Sequence, residues 1–113
     1  MAYARGQILH VQFEHIDEPK LMLVVSNNMR NQKLGSVLAV RLTTTRKPRL
    51  PSIVDLGDAS ESVHGHIVCD DIVEVYDDEV LTVRTSLSPT TMSRVDSALA
   101  AALALPPPGD VAP

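Results

Sequence analysis

Apolar residues recur at every second position in short runs as far as Leu87, and from Ser88 onward at every third or fourth. Period-two runs are strands and a late change to a period near 3.6 is one helix, so the pattern admits a sheet with a single C-terminal helix. In Gln7 to Phe13, Leu9, Val11 and Phe13 share one face while His10 and Gln12 share the other. Lys20 to Val25 is nearly continuous in apolar residues, as a central strand buried on both faces would be. Ser36 to Thr45 alternates, with Leu38, Val40 and Leu42 pointing one way and Val37, Ala39, Arg41 and Thr43 the other. A short strand at Ile53 to Leu56 follows Pro48 and Pro51. Two more, His66 to Tyr76 and Val80 to Leu87, meet at the turn Asp77-Asp78-Glu79. Asn31 to Gly35 and Gly57 to Gly65 read as loops.

Ser88 suits a helix N-cap and Pro89 the first helical position, and Met92, Val95, Leu99 and Ala102 then form one apolar stripe. The helix is expected to reach about Leu105, where Pro106-Pro107-Pro108-Gly109 stops it. The predicted fold class is mainly β (α+β): five or six short strands in a small, strongly curved barrel or sheet carrying one C-terminal helix. It makes one domain over residues 1–105, with a disordered, Pro-rich tail over 106–113.

With aromatic content of 3% and no Trp, the core must be built from Val, Leu, Ile and Ala. The single cysteine, Cys69, excludes an internal disulfide framework and fits a reducing compartment. Met1 to Gly6 lacks the apolar run of a signal peptide, and no stretch is long enough to span a membrane. The sequence therefore predicts an unanchored, cytoplasmic protein.

A net charge of -4 argues mildly against nucleic acid as a partner, but the distribution matters more than the sum. Six of the ten Lys and Arg residues lie between Arg30 and Arg49, and nine of the fourteen Asp and Glu lie between Asp55 and Glu79. Either a polar binding face or two merely balanced surfaces fits that asymmetry. Arg41 and Thr43 leave the third strand on one face about 7 Å apart. Arg can fork onto two phosphate oxygens and Thr can add a hydroxyl donor. Thr44, Thr45, Arg46, Lys47 and Arg49 continue the donors past the strand end, though an exposed strand face also carries Arg and Thr. Lys20 opens the second strand as either a phosphate-neutralising cation or a charged strand end that blunts aggregation.

Alternation puts His64, His66 and Asp70 on one face and Cys69 on the other, without CxxC or HExxH spacing, so no metal and no cofactor is expected. Asp70 and Asp71 could accept a proton if they lie near the cationic strand. No nucleophile elbow or Gly-rich phosphate loop is present. RNA needs neither, because its own 2'-hydroxyl can attack the adjacent phosphate, leaving the protein to align, neutralise and move protons.

The order of features resembles the MazF/PemK/Kid family over about residues 5 to 105. The shared parts are Arg5-Gly6-Gln7-Ile8, then Leu23-Val24-Val25-Ser26-Asn27-Asn28 with Asn31, and Leu42-Thr43. Cys69-Asp70 and Leu87-Ser88-Pro89-Thr90-Thr91-Met92 leading into Val95-Asp96 complete the set. The resemblance implies an SH3-like small barrel of the PemK/CcdB type, a homodimer, and a sequence-specific, metal-independent endoribonuclease toxin of a type II toxin-antitoxin system. It would cut single-stranded RNA (mRNA, with tRNA and rRNA also open) to a 2',3'-cyclic phosphate and a 5'-hydroxyl. A cognate MazE-like antitoxin would block its groove.

The resemblance singles out Lys20, at the family's Arg position, and Thr43 as catalytic, with Asp70 at the Kid-like Asp. Asn27, Asn28, Arg30, Asn31, Thr44, Arg46 and Lys47 are the expected RNA-binding residues. Departures follow from the same comparison. Lys20 lacks the bidentate fork of Arg, Val68 replaces a Kid-like Arg, and the first loop shortens to Glu14 to Pro19 with His15 in it. Arg41 stands where many members have Pro or an apolar residue, and is expected to share phosphate stabilisation as a catalytic residue. His15 and Asp70 are the proton-handling candidates. A non-catalytic antitoxin-binding module or a gyrase-directed toxin on the same fold is the alternative. The gyrase option is disfavoured by a helix that ends in Ala-Leu repeats rather than an aromatic residue.

Overall fold

The computed structural model describes residues 2–57 and 59–106. The strands are β1 (Gln7–Val11), β2 (Lys20–Val24), β3 (Ser36–Thr43), β4 (Ile53–Asp55), β5 (His66–Tyr76) and β6 (Val80–Ser86). Two helices, α1 (Asn28–Leu34) and α2 (Pro89–Leu103), complete the fold. All strand pairings are antiparallel, in the order β4-β5-β3-β2-β1-β6. The mainly β architecture with a C-terminal helix is as the sequence predicts. The sheet bends but stays open, with β4 and β6 at its edges. The tail expected over 106–113 lies, from residue 107 on, outside the described residues.

One expectation fails. Asn31 to Leu34 is not loop but the second half of α1. The helix is fixed at its ends, where the Asn27 side chain accepts from the Arg30 N–H at 2.9 Å and Gly35 closes it at φ 65. Only Asn31 is buried within it, so it offers no apolar stripe for periodicity to reveal.

Cross-strand partners share a face, so the register sorts the core into two clusters. Ile8, Leu23, Val40, Leu42, Val54, Ile67 and Cys69 lie on the face covered by Met92, Val95 and Ala98 of α2. Leu9, Val11, Met22, Val24, Val37, Ala39 and Val75 form the opposite cluster. β2 is thus buried on both sides, as its apolar run requires. Arg5 stitches the chain ends to this frame. It donates from Nε to the Val25 carbonyl at 2.8 Å, pairs with Asp96 of α2 at 2.5 Å, and its N–H reaches Asn28 Oδ1 at 2.7 Å.

β5 carries the irregularity that shapes everything near its start. Val40 pairs with Ile72, yet the next β3 residue, Arg41, pairs with Val68. Cys69, Asp70 and Asp71 therefore bulge out without β3 partners, and an odd number of extra residues reverses which positions face which side. Ser52 closes the bulge. Its carbonyl accepts from the Cys69 N–H at 3.0 Å and its hydroxyl donates to Asp70 Oδ2 at 2.8 Å. Cys69 itself is fully buried, and desolvation, with the Asp70 charge beside it, pushes its thiol up to about 12. Just before β5, Gly65 sits at φ +115, and a Cβ there would lie 2.3 Å from the Thr43 carbonyl oxygen.

The start of α2 is held from outside. Ser88 caps it by accepting from the Thr91 N–H at 3.2 Å. Glu61 Oε2 in turn accepts from Thr91 Oγ1 at 2.5 Å, Ser88 Oγ at 2.7 Å and the Ser88 N–H at 3.0 Å. Burial pushes the Glu61 carboxyl up, but these three hydrogen bonds outweigh it and hold the group below its ordinary value.

A carboxyl depressed in the folded state contributes stability above its unfolded value, and that contribution is lost as pH falls through the folded value. The melting temperature is therefore expected to drop from the ordinary carboxylate range downward. Glu61→Gln should cost about 1–2 kcal/mol at neutral pH in urea unfolding and flatten that part of the acid slope. Gly65→Ala should cost at least about 1–3 kcal/mol by the same measurement, because the Thr43 backbone has to move aside.

Candidate functional site

The register continues across the sheet as two rows of side chains on the face opposite α2. One row reads Ile53, Val68, Arg41, Met22 and Leu9. The next reads Asp55, His66 and Thr43, and one further step in the β2–β3 register sets Lys20 beside Thr43. Lys20, Arg41 and Thr43 therefore share one face at the strand ends, as alternation alone predicts for Arg41 and Thr43.

A cavity of about 510 Å³ opens where the loop after β1 passes over these rows, lined by His15, Lys20, Met22, Arg41 and Asp71 together with Glu14 and Glu79. Apolar walls come from Phe13, Ile16 and Val73. Arg41 is half-buried, and its Nε is buried without a hydrogen-bond partner among the described residues. A buried, unpaired donor on a charged group is costly unless a ligand satisfies it. Thr43 does not line the cavity and follows Arg41 on the same face, two residues further along β3. Its Oγ1 accepts from the Thr45 N–H at 3.1 Å, which leaves the hydroxyl hydrogen free to donate outward.

The bulge decides which carboxylate joins this group. Counting from His66 and Val68 in steps of two leads to Asp70. The three-residue bulge resets the parity, so Asp71, Val73 and Val75 take the Arg41 face. Asp70 is instead bonded to Ser52 and does not line the cavity. Of the two carboxylates that the sequence offers, period-two counting therefore favours Asp70 where the structure brings Asp71, and nothing in a single sequence marks a bulge of this size.

The expected RNA-binding set divides. Asn27, Asn28, Arg30 and Asn31 are not brought to the cavity, and each has work within the fold. Asn27 caps α1, Asn28 accepts from Arg5, and Asn31 is buried against Ser26 at 2.5 Å. Arg30 donates to the Ser36 carbonyl at 2.8 Å and pairs with Glu74 at 3.4 Å. Thr44, Arg46 and Lys47 do extend from the Thr43 end. Arg46 and Lys47 open onto a second hollow of about 900 Å³, shared with Arg49, Asp55, His66 and Arg94. Among the described residues Lys20, Arg41, Arg46, Lys47 and Arg49 form no salt bridge, whereas Arg5 and Arg30 do. His64, His66, Cys69 and Asp70 do not gather into a ligand set. Among the described residues no three His, Cys, Asp or Glu side chains converge as metal ligands.

This fold has known counterparts. The family model for the PemK-like, MazF-like toxin of type II toxin-antitoxin systems matches residues 4–103. The chain is 38% identical over 104 residues to Endoribonuclease MazF4 of Mycobacterium tuberculosis, covering 92% of this chain and 95% of the relative. A solved endoribonuclease from a mycobacterial species superposes with a TM-score of 0.85 at 38% identity, covering 96% of this chain and 97% of its own. Another, solved in complex with its cognate antitoxin, gives 0.84 at 38% identity over 95% of this chain and 100% of that one. A match spanning nearly every strand and both helices leaves one assignment: the chain belongs to the PemK-like, MazF-like toxin family of type II toxin-antitoxin systems.

Proposed function

We propose that the chain is a sequence-specific endoribonuclease that cuts single-stranded RNA in the cytoplasm and is held in check by a cognate antitoxin. The observation that carries the reading is the convergence of Lys20, Arg41, His15 and Asp71 on one cavity beside Thr43, with the Arg41 Nε unpaired. Relatives of 38% identity named endoribonucleases, and a structural relative solved with its antitoxin, support the substrate and the partner. A homodimer is part of the same proposal.

The chemistry needs no covalent protein intermediate. The 2'-oxygen attacks the adjacent phosphorus, the bond to the 5'-oxygen breaks, and a 2',3'-cyclic phosphate forms. His15, or Asp71 in its place, takes the 2'-hydroxyl proton, and the conjugate acid so formed gives that proton to the leaving 5'-oxygen. Arg41 and Lys20 neutralise the charge that builds on the phosphorane, and the Thr43 hydroxyl donates to one of its oxygens. Lys20 is a point charge without a fork, so Arg41 supplies the planar, bidentate contact. Asp70 acts one step back, by fixing Ser52 and hence the bulge that presents Asp71.

The test is purified protein incubated with a long RNA in EDTA, followed by mapping of the 5' ends. Discrete cuts at one repeated short motif, with 5'-hydroxyl termini, are expected. Arg41→Ala, Lys20→Ala and Thr43→Val should each lower the cutting rate by about a hundredfold. Wild-type cutting by Arg41→Ala would remove Arg41 from the mechanism. Intact RNA together with antitoxin binding would favour a non-catalytic binding module instead.

A further inference from the structure

The hollow beyond Thr43 is more basic than the cavity at Lys20. Among the described residues, four cationic side chains, Arg46, Lys47, Arg49 and Arg94, line it with one carboxylate, Asp55, in a chain whose net charge is -4. Elements far apart in sequence build it: the segment after β3, the edge strand β4, the start of β5, and α2. Arg94 reaches it round the sheet edge, donating from Nη2 to the Asp55 carbonyl at 2.9 Å, so this cation is held in place. His66, Thr43's cross-strand partner, lines the hollow; its Nε2 lies 3.8 Å from Asp55 Oδ2, and its Nδ1 is buried without a partner among the described residues.

We propose that this hollow is a second phosphate channel, which grips the backbone of the RNA flank beyond the cut after the strand has crossed Thr43. The proposal rests on the RNA reading above and adds to it a site and a role. Two observations favour a nucleic-acid backbone over an acidic peptide. The donors continue without a break from Thr43 through Arg46, a reach of at most about 11 Å for three residues. The apolar lining, Pro48, Leu50 and Ile53, holds no Phe, Tyr or Trp, so it offers no large anchor pocket for a peptide side chain. Contacts made only to phosphates add affinity and fix the path of the strand without reading sequence. The channel therefore lengthens the footprint on RNA, and the choice of motif stays with the cavity at Lys20 and Arg41.

Salt dependence tests this. Binding is measured on fully 2'-O-methylated RNA, which cannot be cut by its own 2'-oxygen, in lengths of about 6 and about 20 nucleotides. For the wild type, the slope of log K against log salt should be steeper on the long oligomer, by about 0.7 for each further phosphate neutralised. Arg46→Ala with Arg49→Ala should take about 1.4 from the long-oligomer slope, so that long and short converge. Arg49 is exposed and its removal disturbs no packing, so Arg49→Ala alone, with a loss of about 0.7, decides the matter if the double variant does not fold. Wild-type slopes in these variants overturn the proposal. So does a poly-glutamate peptide that binds the wild type and not the variant while RNA slopes stay unchanged, since the hollow would then serve a protein partner. The RNA reading is judged separately, by whether the wild-type protein cuts RNA at all.

Discussion

The bulge at Cys69 to Asp71, clamped by both the carbonyl and the hydroxyl of Ser52, is the constraint on which the arrangement of this face depends. Below it β5 serves two strands at once, pairing with β4 and with the end of β3. Above it the same strand runs beside the start of β3 with its faces exchanged. One side of the break therefore sets His66 next to Thr43, and the other sets Asp71 near Arg41. A continuous β5 would bring Asp70 to that face and leave Asp71 on the helix side, where a carboxylate would be buried among Val40, Leu42 and Ile67. The irregularity is what lets two adjacent acidic residues sit in this strand without burying either.

Charge placement follows the same division of labour. Arg5 and Arg30 are tied to carboxylates and carbonyls, and they hold helices to the sheet. The cations on the opposite face are left without ion pairs among the described residues. Like charges kept close and unpaired weaken the folded state, and such local weakness is tolerated where a polyanion is to be met. An acidic chain can in this way present a basic track, because carboxylates such as Glu61 and Glu79 are engaged at caps and turns and Glu74 with Ser36 and Arg30.

Much of this was legible in the sequence. Runs of four to eleven residues, alternating or continuously apolar, located all six strands, and Ser88-Pro89 marked the start of α2, because hydrophobic burial and capping act locally. Arg41, Thr43 and Lys20 fall on one face as alternation and family position together imply. What stayed hidden was non-local. α1 is set by its two caps and not by a stripe. The Asp70-to-Asp71 exchange arises from a register shift, and the contribution of Arg94 arises from a helix folding back over the sheet edge. Asn27, Asn28, Arg30 and Asn31 read in the sequence as a ligand surface, and their side chains make the hydrogen-bonded joint around α1, away from the cavity.

The single thiol lies inside the bulge itself, fully buried and with its proton held up to about 12. A thiol in that state reacts with alkylating reagents only from conformations in which the packing of α2 on the sheet or the bulge itself has opened. Cys69 is thus a built-in reporter, and its labelling rate counts how often the protein loses the packing around the bulge that puts Asp71, rather than Asp70, on the Arg41 face.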